Sequence, residues 1–269
     1  NLTTSWGKDF KVGGNIYVEG NSSLQGNTSV YGEYFYTGGD LTRGSTYNLL
    51  CECETYVKGN IRLDGKSTLN GGVYCCGNFT KGGSTSMNVK GNVYTGGKLD
   101  WQSGGTTVKG DVFVFGNGTL PGEDGTIISG PFTLDGDLYN KKGALNLSGQ
   151  GTYLMKSVIY SGGSISTNQG SSGIYLNGCM IAEDDVKIGG STHSYNEGGA
   201  TLSIYSRKGD ITLYSQQGGF ELWGIIYAPE GNVGLATGTF DIHGSVIGDT
   251  ISCTPGGLTM SYNDRELPY

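Results

Sequence analysis

Proline and histidine are nearly missing from this chain, with 5 and 2 copies in 269 residues against 51 glycines. Charge is thin as well: charged residues make up 15%, with 17 Lys and Arg against 24 Asp and Glu for a net charge of -7. Disorder needs high charge and few aromatic residues, and 18 Tyr, 8 Phe and 3 Trp exclude it. No Pro-rich, Ser-rich or charged stretch reads as a linker, so residues 1–269 are expected to form a single elongated domain. The low pI, near 4.8, argues against a wide nucleic-acid surface, which needs clustered cations to displace counterions. The tight basic pairs, Lys141/Lys142 and Arg207/Lys208, read as solvated turns. No apolar run reaches the roughly 18 residues of a membrane span. Asn1 opens no basic and apolar signal segment, so the chain reads as mature and processed, or as trimmed of an anchor that alone would bring it to a membrane.

What is present is repetitive. An apolar residue, any residue, Gly, Asn or Asp, then an apolar residue recurs as Val12-Gly13-Gly14-Asn15-Ile16, Val57-Lys58-Gly59-Asn60-Ile61, Val89-Lys90-Gly91-Asn92-Val93 and Val108-Lys109-Gly110-Asp111-Val112. The steps Gly59 to Gly77, Gly91 to Gly110, Gly110 to Gly130 and Gly209 to Gly231 lie between 18 and 22 residues, while Gly77 to Gly91 is shorter and breaks the pattern. Between the glycines run short period-2 segments such as Ile16-Tyr17-Val18, Ile61-Arg62-Leu63 and Val112-Phe113-Val114, and no helical stripe competes with them. Three short strands with their corners use about 18 to 22 residues, one rung of a parallel β-solenoid. The expected fold is therefore all-β, a single β-solenoid (β-helix), with a β-sandwich as the alternative because one hairpin consumes a similar length. Rungs of ~20 residues would give about 13 turns at the ~4.8 Å strand spacing. Gly and Asn are expected at the corners because they tolerate positive φ.

Six cysteines include two doublets, Cys51/Cys53 and Cys75/Cys76. The doublets stand about one rung plus a small insertion apart, which suits disulfide staples between neighbouring rungs and, with them, an oxidising extracellular setting. A metal site wants Cys-x2-Cys knuckles, which neither doublet offers, and free buried thiols are the remaining reading. Cys179 and Cys253 are too far apart in sequence to pair across adjacent rungs.

Catalytic signatures are missing. There is no Gly-x-Ser-x-Gly elbow, phosphate-binding loop or His-Glu-x-x-His motif, and His193 and His243 read as turn or surface residues. Pectin-degrading hydrolases built on solenoids carry Asn-Thr-Asp, an Asp pair, Gly-His-Gly and Arg-Ile-Lys on successive rungs. This chain has none of these sets, although Asp184-Asp185 is an acidic pair. Asp135-Gly136-Asp137, Glu123-Asp124 and Glu183-Asp184-Asp185 follow no calcium-loop pattern and read as solvated turns. No catalytic residue, metal or cofactor is expected.

The segment 223–267 contains Gly224-Ile225-Ile226-Tyr227-Ala228-Pro229, then Gly244-Ser245-Val246-Ile247-Gly248, then Tyr262-Asn263-Asp264-Arg265-Glu266-Leu267. It resembles the C-terminal module of type IV pilus-associated surface proteins and minor pilins. The resemblance implies export, a cell-surface or pilus-associated position, and a role in attachment or uptake. It implies no catalytic residue. The pilin helix that precedes such modules is not among these residues. Tapirins, cellulose-binding surface proteins with β-helical domains, are a related group, though no motif singles them out.

The expected function is that of a non-catalytic extracellular binding module, an adhesin-like ectodomain attaching to polysaccharide or another extended host or substrate surface. A structural filament subunit, joined to a pilus or to itself, and a DNA-binding minor pilin are the alternatives. Aromatic rings are the natural sugar contacts, since they bury an apolar face and keep a polar edge. Trp101, set among Lys98, Asp100 and Gln102, is the first exposed candidate, followed by Tyr34 and Tyr36, which share a parity opposite to Phe35.

Overall fold

The computed structural model describes residues 1–44, 46–116, 125–148, 153–155, 158–168, 174–176, 178–190, 202–215, 219–254 and 256–261. They form a parallel β-solenoid of about 11 turns with no helix among them. From Leu2 to Ala182 each turn lays down one short strand on each of three faces. Face one begins with Leu2–Thr4, face two with Asp9–Val12 and face three with Ile16–Val18, and the order then repeats. Every strand pairs in parallel with its equivalent one turn on: Ile61 lies over Leu41 and under Phe79 on face one, and Val73 lies between Thr55 and Val93 on face three. The last two long strands, Gly219–Ala236 and Thr239–Thr254, cross from face to face without a break.

Alternation decides what is inside. In Ile61–Leu63 the outer two residues are buried and Arg62 is exposed, and the pattern repeats in Val73–Cys75 and Val112–Val114. Stacking equivalent residues fills the centre with continuous rows, such as Leu41, Ile61, Phe79 and Leu99 on face one, all 0–1% exposed. A parallel sheet normally buries both faces under helices; here the sheet closes on itself, so one face of each strand stays outside.

The recurring Gly-Asn and Gly-Asp pairs are the corners. Between faces three and one, the Asn60 N–H donates to Asp40 Oδ1 at 2.7 Å and the Asn78 N–H to Asn60 Oδ1 at 2.8 Å. Between faces two and three, the Asp111 N–H donates to Asn92 Oδ1 and the Asp137 N–H to Asp111 Oδ1, both at 2.9 Å. Only an acceptor is needed, which is why Asn and Asp alternate freely. The expectation of positive φ at these glycines is corrected by the packing. Gly59 and Gly110 keep ordinary φ, but a Cβ on either would lie 2.7 Å from the carbonyl carbon of Gly39 or Gly91 in the turn below. The corners stack backbone on backbone, and any side chain there pries the turns apart.

These placements also explain the uneven spacing. Gly59 and Gly77 share one corner and Gly91 and Gly110 another, so the step from Gly77 to Gly91 changes corner and measures no turn. Gly130 belongs to the third corner, over Gly104. True turns run 18 to 20 residues where no loop intervenes, as from Asn60 to Asn78 and from Asp40 to Asn60, and 26 from Asp111 to Asp137. Such longer turns are why about 11, not 13, are stacked.

Candidate ligand-binding face

The middle residue of each face-three strand points outward, and register places these residues one above another. Tyr17, Tyr36 and Tyr56 come first, then Tyr74, Tyr94, Phe113, Tyr139 and Tyr160; after Ile181 the column resumes with Tyr205 and Tyr227 and ends at Ile247. The rings stack face to face: Tyr17 on Tyr36 at 4.8 Å and 8°, then Tyr56 on Tyr74 at 4.7 Å, Tyr74 on Tyr94 at 5.0 Å, Tyr94 on Phe113 at 4.8 Å and Phe113 on Tyr139 at 5.2 Å, with planes within 11°. The strand spacing of roughly 4.8 Å sets this pitch, and within the run Tyr56 to Tyr139 each inner ring has two stacked neighbours. The column is an external aromatic ladder that covers ring faces and leaves ring edges and hydroxyls in water.

Polar groups at the face edge fix some of the hydroxyls. Tyr139 Oη donates to Asp137 at 3.1 Å, and this bond holds its phenol above its ordinary pKa. Burial, then Glu183, raises that of Tyr160, whose Oη donates to Glu183 at 3.4 Å. Burial and Glu54 raise Tyr74 in the same way. Asn92 Nδ2 donates to Tyr94 Oη at 3.3 Å. Tyr74, Tyr139 and Tyr160 are thereby held in the neutral form, and the ladder is an amphipathic ridge on an acidic protein.

Two of the three aromatic candidates read from the sequence belong to this region. Tyr34 and Tyr36 lie on the opposite side of their strand from the buried Phe35, as their parity requires; Tyr36 is a ladder ring and Tyr34 stands beside it at the corner, 37% exposed. Trp101 is a correction. It is 1% exposed, packed edge-on to Phe79 at 5.4 Å and against Phe132 at 6.0 Å. Its polar neighbours Asp100 and Gln102 are the outward half of the same alternation, so a polar setting in sequence marks an inward ring here.

The cysteine staples are corrected too. Cys51 ends a face-two strand, between Val30 below and Leu69 above, whereas Cys75 ends a face-three strand between Val57 and Thr95. The distance between the doublets exceeds one turn and carries them to different corners, so neither pair stacks, and all six cysteines are free thiols. Cys51 and Cys53 are both buried at one corner, where the hydrogen bond between them raises the Cys51 thiol and lowers that of Cys53. Burial pushes Cys75 up to about 12.

The acidic turns are structural. Asp135 pairs with Lys109 and Glu183 with Arg207, and Asp185 Oδ1 accepts the Asp210 N–H at 2.9 Å. Glu123, Asp124 and His193 lie outside the described residues, as does the closing motif 262–267. His243 stacks on Trp223 at 3.9 Å, with Nδ1 2.6 Å from Ser261 Oγ. No group of three or more metal-ligating side chains occurs among the described residues. In the 223–267 segment, Gly224 and Gly244 are stacked corner glycines with φ of 143° and 154°, which gives the glycines of that motif a backbone role.

No protein-family model, curated protein or solved structure matches this chain. The functional reading therefore rests on the residues and their geometry.

Proposed function

We propose that the chain is a non-catalytic binding module acting outside the cell, adhesin-like, that attaches to an extended polymer, a polysaccharide above all, along the ladder of face three. The observation that carries this reading is the outward aromatic column itself, repeated turn after turn with one chemistry. A compact ligand has no use for a site that repeats along the whole molecule; a polymer does. Most turns offer a ring edge for the apolar side of a sugar and a phenol for its hydroxyls, and many weak contacts along one chain add as avidity. Attachment at the cell surface in association with a type IV pilus agrees with the resemblance of residues 223–267 and is proposed with it.

The test is retention on cellulose, chitin, xylan and duplex DNA at about 50 and 200 mM salt, the range over which counterion-driven binding collapses. Polysaccharide retention at both salt levels without release of soluble sugar is expected. Retention on DNA alone, lost at the higher salt, would point to uptake instead, a role that the net charge of -7 opposes.

A second reading, a filament subunit, is favoured by one feature. The inward row of the last described turn, Ile251, Leu258 and Met260, is 50%, 39% and 51% exposed, an apolar end of the kind that stacks on a partner. Concentration-dependent light scattering tests it.

A further inference from the structure

The longest stacked run of the ladder, Tyr56 to Tyr139, has an end. Among the described residues no ring stacks on the far side of Tyr139, although Tyr160 is its register partner in the next turn. The two phenols are drawn apart: Tyr139 is tied to Asp137 on its own turn, Tyr160 to Glu183 on the turn above, and Glu183 is anchored in turn by Arg207 at 2.9 Å. A cleft of about 210 Å³ opens at this point, lined by Phe113, Val114, Phe115, Tyr139, Lys141 and Tyr160. From Tyr56 to Phe113 the ladder covers its ring faces; here aromatic surface lines a hollow.

The cleft also has a charge. Lys141 Nζ sits 5.9 Å from the Phe115 ring centre, and no carboxylate among the described residues lies within ion-pair distance of it. Some cations at the edges of the faces are paired, Arg62 with Asp64, Lys109 with Asp135 and Arg207 with Glu183; among the described residues Lys141 is not, and neither is Lys187, whose Nζ lies 5.5 Å from the Tyr214 ring centre. What sets Lys141 apart is its place, an exposed ammonium at the rim of an aromatic hollow with the exposed Lys142 beside it, on a chain of net charge -7.

We propose that this cleft is a subsite for an acidic sugar: one uronate ring of a polysaccharide seats its apolar side on Phe115 and Tyr139 while its carboxylate meets the Lys141 ammonium. The inference rests on the polymer-binding reading and names the residue class that one position prefers. A neutral sugar satisfies the aromatic wall but leaves the ammonium unpaired; a free carboxylate without a ring lacks the wall.

The experiment compares polygalacturonate with its fully methyl-esterified form, which keeps the ring and removes the charge, and adds xylan as a neutral reference. Wild type is expected to bind the polyuronate about threefold to tenfold more tightly than the ester at low salt, and to lose that margin as screening rises. Lys141→Gln, an exposed substitution checked by circular dichroism, is expected to abolish the preference while leaving xylan retention unchanged, whereas Lys11→Gln on face two leaves both unchanged. Equal binding of acid and ester, or an undiminished preference in Lys141→Gln, overturns the subsite while the polymer-binding reading stands. Loss of retention on every polysaccharide overturns that reading and the subsite with it.

Discussion

Tyr94 lies flat over Tyr74, ring centres 5.0 Å apart and planes 5° from parallel, and Phe113 covers its other side. Each stacked pair contributes about 0.5–1.5 kcal/mol beyond area burial, so an inner rung supports the fold from outside the core. Tyr94→Ala removes two pairs and is expected to lower stability by about 1–3 kcal/mol in chemical denaturation. Tyr94→Phe keeps both stacks and is expected to stay within about 0.5 kcal/mol of wild type.

Trp101 is the opposite case, an aromatic residue whose whole contribution is internal. Truncation to Ala is expected to cost about 3–5 kcal/mol, the usual range for a large buried ring. Its indole N–H has no hydrogen-bond partner among the described residues, so Trp101→Phe gives up no bond there and is expected to retain most of the stability. Both are read from urea unfolding curves. If the Ala variant were as stable as wild type, the inward placement would be wrong.

How much of this was legible beforehand follows from these residues. Period-2 runs and the Gly-Asn pairs report backbone requirements that recur every turn, and they carry the solenoid. The parity of Tyr34 and Tyr36 about Phe35 was equally direct. Trp101 was legible in principle, since it shares the parity of Leu99, but the charged neighbours drew attention to the wrong half of the alternation. The ladder was missed because its members are spread over the chain, one per strand, and only the register aligns them; Tyr17, Tyr36, Tyr56 and Tyr74 are 18 to 20 residues apart, the length of a turn. The cysteines misled because a sequence distance near one turn implies stacking only when it equals the local turn.

The corner ladder makes a prediction about chemical type. Asp111 Oδ1 accepts the Asp137 N–H, and the Asp111 N–H donates to Asn92 Oδ1. Asp111→Asn preserves the acceptor and is expected to be nearly neutral; Asp111→Ala is expected to cost about 1–3 kcal/mol by leaving one N–H unpaired. Thermal unfolding of the two variants separates the acceptor from the charge.

Thiol reactivity tests the placement of the cysteines. Cys76 and Cys253 are exposed, while Cys51 and Cys75 are buried with raised thiol pKa values. In native protein under reducing conditions, iodoacetamide is expected to label Cys76 and Cys253 first, with Cys51 and Cys75 reacting only after denaturation. A peptide linking Cys51 or Cys53 to Cys75 or Cys76 in the non-reduced digest would contradict the register.

Lys81 supplies a pH dependence. It is 1% exposed, its Nζ donates to the Gln102 and Ser103 carbonyls, and burial lowers its pKa. The unfolded chain therefore binds this proton more tightly, and the cost of burying the ammonium is relieved as pH rises through the folded pKa toward the unfolded value. Wild type is expected to gain stability relative to Lys81→Met on going from neutral to alkaline pH, read as the difference between their denaturation midpoints.

The account stands on the ladder as the binding face, and one comparison addresses it most directly. Tyr56, Tyr74 and Tyr94 are replaced together by Phe, which keeps the stacks and removes the hydroxyls, and in a second variant by Ser, which removes the rings; Tyr31→Ser, an exposed tyrosine outside the ladder, is the control. With folding verified for each, retention on insoluble polysaccharide is measured side by side. The ladder account predicts weakened retention in the Phe variant, near-loss in the Ser variant and no change in the control. Equal retention of all four proteins would contradict it.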